Sequence, residues 1–286
     1  MKRYVLFLFA SALMTASPLF AQVSVWGYGN GAGGWISATG GYQCGTSAAA
    51  SAAMAFGYQC SANSAHAIVL GANSHSLPDS TGAFVVGYGA LGYGAWSQSI
   101  GYQTQTHGIG SFAQGYQSQA HGHWSIAMGE SARAFDRNCV ALGFQSIAGD
   151  STTVDYLQCI ALGANSLAKH DYAMSLGASS QALGRSAVSM GESSVASGTQ
   201  STAIGQGSKA LALHAISAGP FPVARGNPAT WVPTDPVLTV SNGQSAAAPS
   251  NALVVLKNGA VLIKPAGDLS MGAFTAGIKP DDTTVP

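Results

Sequence analysis

The chain has 286 residues, a formal net charge of zero and 8% charged residues, against about 25% in an ordinary soluble domain. That balance excludes the basic field needed to hold nucleic acid or an anionic membrane surface. The 37 glycines, set among abundant alanine and serine, point to a regular, close-packed backbone rather than a conventional core under a charged skin.

The first element is an export signal. In "MKRYVLFLFASALMTASPLFAQ" a basic start at Lys2 and Arg3 precedes an apolar stretch from about Tyr4 to Met14 and small residues before Ala21. This predicts a signal peptide over 1–21, cut after Ala21, although Leu19 fits the cleavage site poorly. The apolar stretch is short for spanning a bilayer, and no later segment could cross one as a helix. The mature chain is therefore expected outside the cytoplasm, secreted or at a bacterial surface, with no transmembrane segment.

A repeat follows. Taking the glycine of "ALG" as anchor, the same position recurs at Gly27, Gly41, Gly57, Gly71, Gly87, Gly101, Gly115, Gly129, Gly143, Gly163, Gly177, Gly191, Gly205 and Gly219. Ten of the thirteen intervals are fourteen residues, two are sixteen and one is twenty. One residue before the anchor stand Phe56, Leu70, Val86, Ile100, Met128, Leu142 and Leu162, with Gln114 an exception; three before it stand Met54, Ile68, Phe84, Ile126, Val140 and Ile160. Alanine or serine mostly separates the two columns, and this period-two alternation predicts a strand. The two large columns are expected to be buried in the assembled protein. After each anchor comes a turn such as "YQS" or "ANS", then a small residue such as Ala62 or Ala134, and often a second glycine, as at Gly94, Gly108 and Gly122.

Two short extended segments and two glycine turns in fourteen residues make one coil of a parallel β-solenoid, so the predicted class is all-β. Coils stacked at about 4.8 Å would make a rod of roughly 60 Å over 22–219. Each coil offers about two large apolar side chains, too few for a thick core, so copies of the chain are expected to pack together.

The stretches "NCVALGFQS", "QCIALGANS", "SAVSMGESS" and "STAIGQGS" resemble the repeat of the YadA-type head of trimeric autotransporter adhesins, whose signature is similar to N-S-V-A-I-G-x-x-S. The resemblance spans roughly 27–219. It implies a left-handed parallel β-roll, a homotrimer, and display on a bacterial surface as a non-enzymatic adhesive head. It implies no cofactor. The long coiled-coil stalk and membrane β-barrel segment of those adhesins have no counterpart in the heptad or strand patterns of this sequence.

From Pro220 the repeat stops. A proline-punctuated linker is predicted over 220–236 and a small β cap over 237–275, with Asn258-Gly259 as a hairpin turn. The cap resembles the module that follows such heads in other secreted bacterial proteins, and its expected work is to cover the open end of the rod. The tail 276–286 is expected to be disordered.

Four cysteines in an exported chain favour disulfides. Cys44 and Cys60 lie three residues after anchors in consecutive coils, and Cys139 and Cys159 lie four before them, each pair flanking a lengthened coil. Two stacked bridges are expected, with unpaired cysteines filling small columns as the alternative. The histidines His107, His121 and His123 read as turn residues, because no carboxylate or thiol completes a metal-ligand set. Glu130, Arg133, Asp136 and Arg137 suit a solvated turn. Tyr42, Tyr58, Tyr88, Tyr102, Tyr116 and Phe144 follow anchors and are expected to stack as a ladder, beside Trp96 and Trp124 in another column. Stacked rings stabilise neighbouring rungs; exposed, they could also contact a matrix protein or a glycan. The expected function is an adhesin-like head. A structural fibre or surface-layer component is the alternative, and a carbohydrate-active solenoid enzyme a weaker one.

Overall fold

The computed structural model describes residues 52–150 and 158–263, together with the backbone of strands Gly27–Tyr28, Trp35–Ser37 and Ser47–Ala48. The predicted signal peptide, Cys44 and the predicted disordered tail lie outside these residues. Among the described residues no helix is long and apolar enough to cross a membrane.

The described chain is all-β, a parallel solenoid of about eleven coils of roughly fourteen residues followed by antiparallel strands. Each coil contributes one longer strand and one two-residue strand, and the two kinds stack into separate sheets. Register is set by the repeat. Gly87, Gly101 and Gly115 stand directly opposite one another, as do Ile126, Val140 and Ile160. The six-residue insertion between Gly143 and Gly163 leaves this register intact, because Val140 still pairs with Ile160 and Leu142 with Leu162. Eleven rises from Met54 to Ile216 give a stack of about 50 Å.

The interior of a single chain is built from small residues. Both large columns face outward from their own chain, and the small residues beside them face in. Around Gly129 the interior positions are Ser125, Ala127, Ala132 and Ala134, all fully buried. Ile160 and Leu162 are half-buried, while Met190, Ile204 and Ile216 are 39–46% exposed. A coil closed in about fourteen residues holds mostly alanine, serine and glycine between its two strands, with valine or threonine at Val69, Val85, Thr104 and Thr106 the largest side chains among the described residues that it buries completely. The period of two was legible; which phase faced inward depended on the width of the coil.

In the coil around Gly101 the interior is entirely hydroxylated, with Ser97, Ser99, Thr104 and Thr106 buried. Their oxygens pair with each other, Ser99 with Thr104 at 2.8 Å and Thr106 donating to Ser97 at 2.9 Å. A buried hydroxyl costs stability unless it is paired, so this belt is tolerated because its members satisfy one another.

The anchor glycines are required for two reasons. Gly101 has φ +134°, and a Cβ there would lie 2.0 Å from the carbonyl oxygen of Gly115 in the next coil. Only a glycine supplies both the conformation and the close approach. The second glycines differ. Gly108 is not left-handed, yet a Cβ on it would also meet the next backbone, at 2.0 Å from Gly122 O.

At the N-terminal end the solenoid departs from the sequence register. Gly27–Tyr28 pairs antiparallel with Trp35–Ile36, and Trp35 pairs with Met54, where Gly41 as anchor would place Ala38. At the other end Pro236–Ser241 adds in parallel to Ile216–Ala218, and Asn251–Leu256 and Val261–Ile263 continue antiparallel. The Asn258-Gly259 turn closes this last hairpin, with Leu256 N–H donating to Ala260 O at 2.8 Å. The linker is docked onto the last coils: Thr199 N–H donates to Pro228 O and Leu213 N–H to Asn227 O. Asp235 fixes its fold, its carboxylate accepting from Asn227 N at 2.8 Å.

Candidate contact surface

Side chains at one coil position line up along the rod, so the surface is a set of columns. Tyr88, Tyr102 and Tyr116 form a continuous stack, with ring centroids 5.3 and 4.9 Å apart and planes within 6°. All three are 40–49% exposed. The ladder is shorter than the sequence suggests. Tyr58 is separated from it by Ala72, and Phe144 from Tyr116 by Glu130. Because each tyrosine covers its neighbour's face, the stack presents ring edges and phenol hydroxyls to solvent.

The next position along the chain is a column in the left-handed region, with Gln103, Gln117 and Gln145 at φ 51–55°. Gln117 Nε2 donates to Gln103 Oε1 at 2.9 Å, continuing the stacking as an amide ladder. Gln103, Gln105, Gln117, Gln119 and Arg133 line an open groove of about 480 Å³.

Trp96 and Trp124, 62% and 61% exposed, occupy a second left-handed column, five residues before the anchor. Each lies over a glycine of the preceding coil, and a Cβ on Gly82 or Gly110 would meet the indole at about 2.4–2.5 Å. The alternation of glycine and tryptophan gives each indole its room. Sequence reading missed both left-handed columns, because glutamine, serine and tryptophan do not announce positive φ. Gly82, Gly110, Asn138 and Asn165 in the same columns were the available signal.

Such an array of in-register, small-residue coils is matched by the family model described as the YadA head domain repeat, over residues 48–74, 107–129, 120–146, 160–180 and 182–219. The chain belongs to the YadA head family. A search of the curated proteins gives no match.

The YadA-type head also buries polar groups that the sequence placed at its surface. Tyr93, His107, His121 and Phe135 stack along one column at 4.3–5.3 Å. Burial lowers the pKa of His107; burial and the nearby charges of His107 and Arg133 take His121 down to about 4. His107 Nδ1 is buried without a hydrogen-bond partner. No group of three or more metal-binding side chains occurs among the described residues. Asp136 corrects the reading of a solvated turn, since it is only 5% exposed and its carboxylate accepts from Asp150 N at 3.0 Å. It thereby holds the start of the lengthened coil, aided by Lys169 reaching Asp150 at 3.5 Å.

Cys60, Cys139 and Cys159 are fully buried and carry free thiols in this structure. Burial raises the Cys60 thiol. Cys139 and Cys159 touch: Cys159 N–H donates to Cys139 Sγ at 3.3 Å, and Cys159 Sγ lies 3.1 Å from His170 O. The thiols also hydrogen-bond each other, which favours the thiolate of Cys139, while that hydrogen bond and burial push Cys159 up.

Proposed function

We propose that this chain is the head of a homotrimeric surface adhesin, exported from a bacterial cell and acting by contact rather than by catalysis. The observation that carries the proposal is the outward apolar stripe. Ile68, Leu70, Phe84, Val86 and Ile126, and their successors through Ile216, form two apolar columns along the rod, interrupted at Gln98, Gln114 and Thr202 and half-buried or more exposed in one chain. An exposed apolar surface of that length marks an interaction face, and identical parallel rods supply a partner with the same rise. The family supports three copies around one axis, and heads of this family are associated with bacterial surface adhesins.

On this reading the Tyr88–Tyr102–Tyr116 ladder and the adjoining glutamine groove are the contact surface for a matrix protein or glycan. Three copies on one trimer would raise weak contacts through effective concentration. Light scattering at micromolar concentration should give three chains per particle. Leu162→Asp with Leu176→Asp, which places charge in the stripe without altering the small interior, should shift the protein to a monomer. A wild-type monomer overturns the trimer. A trimer that binds nothing in a glycan and matrix-protein screen overturns the adhesive role alone and favours a structural fibre.

A further inference from the structure

We propose that Cys139 and Cys159 form a disulfide that bolts the rod across its longest insertion. The two residues stand in adjacent coils immediately before Val140 and Ile160, which pair in register. Parallel strands are about 4.8 Å apart, inside the Cα range that a disulfide spans. Both side chains point into the coil interior, and the backbone amide of one already touches the sulfur of the other. At the same position the other coils hold alanine or serine, as at Ala67, Ser97, Ser111, Ser125, Ala173 and Ala187, so the column tolerates small side chains and needs no thiol for packing. Cysteine occurs in this described column only at the two rungs that bracket the insertion.

The chemistry is thiol–disulfide exchange with an external disulfide, such as oxidised glutathione or a disulfide oxidoreductase. The Cys139 thiolate attacks one sulfur of that disulfide and releases one thiolate. Cys159, losing its proton to solvent, then attacks the Cys139 sulfur and releases the second. The chain loses two hydrogens and the external disulfide becomes two thiols. Because both sulfurs are fully buried in the closed coil, exchange takes place before that coil closes or when it opens. Once formed, the bridge is shielded from reductant.

The test uses the full chain, refolded with oxidised and reduced glutathione, denatured, alkylated without reduction and mapped by mass spectrometry. The expected result is a linked pair of peptides containing Cys139 and Cys159. In the folded protein this link should resist a mild reductant that opens it in denaturant. Cys139→Ser with Cys159→Ser, which reproduces the serine found in other coils, should fold and melt lower by on the order of 5–10 °C. Full alkylation of both cysteines after oxidative refolding overturns the proposal. So does a link from Cys60 to either one, or equal melting of the double variant and the oxidised wild type.

Discussion

The coils as far as Glu130 and those from Val140 onward obey one repeat but close their turns differently. From Met54–Tyr58 to Ile126–Glu130 the longer strand runs five residues and carries the anchor glycine inside it; from Val140–Leu142 to Ile216–Ala218 it runs three and stops short of the glycine. In the later coils a serine three residues after the anchor folds back, Ser166 Oγ donating to Gly163 O at 3.0 Å and Ser180 Oγ to Gly177 O at 3.0 Å. In the earlier coils the strand runs on past the glycine, as at Tyr88, Tyr102 and Tyr116. The equivalent serine, Ser118, is buried with no partner for its hydroxyl. The aromatic residue does not decide the strand length, because Ala72 and Glu130 also end five-residue strands while Phe144 follows a three-residue one. What accompanies the shorter strand is the serine hydrogen bond back to the anchor carbonyl, at Ser146, Ser166, Ser180 and Ser194. The lesson is that a repeat fixes the pitch of a solenoid while leaving the corner open to local chemistry.

The largest effect should come from the anchors, and it should differ between the halves. Gly101→Ala places a Cβ 2.0 Å from Gly115 O, whereas Gly191→Ala places it 2.6 Å from Gly205 O, both at positive φ. Strain and overpacking together predict a loss of about 4–5 kcal/mol for the first and about 3 kcal/mol for the second. Denaturant midpoints would measure both, and equal losses would erase the distinction between the two corners.

Acid should act on the earlier half. His121 is held neutral to about pH 4 in the folded chain, whereas an unfolded histidine takes up its proton near pH 6.5. Between those values the unfolded chain binds the extra proton, so stability falls as pH drops through the window and this group adds no further loss below it. Allowing for solvent screening at a half-exposed ring, the loss is about 1–2 kcal/mol per chain. Thermal melting of wild type and His121→Gln across pH 4–7 tests this, with the variant expected to show the shallower slope.

The smallest effect is the sharpest comparison. Ser166→Ala removes a turn hydrogen bond and should cost about 1 kcal/mol. Ser118→Ala, at the same coil position and equally buried, removes a hydroxyl that has no partner and should be neutral or stabilising. If both serines matter equally by urea unfolding, the two corners are energetically alike.

The coil length, the register from Met54 onward and the hairpin at Asn258-Gly259 were legible because each rests on a pattern local to the chain. Whether Ile160 or Ala161 faced inward was not, since alternation has two phases and the width of the closed coil chooses between them. The aromatic column was visible from spacing, but its interruptions at Ala72 and Glu130 needed the column to be read rung by rung. Asp136 looked like a surface acid because its partner, Asp150 N, lies at the start of the insertion and not in its own repeat.

Strands in most coils meet partners fourteen residues away, as Gln98 meets Phe112; the insertion stretches this to twenty, and the cap joins Ile216 to Leu238. Parallel sheet is ordinarily the slow case in folding, because distant segments must find each other before any contact rewards them. Here every rung is the template for the next, and the entropy of closing each loop rises only slowly with its length. A chain delivered end first through a narrow exit can therefore lay down its coils in order as they emerge, without waiting for its far end.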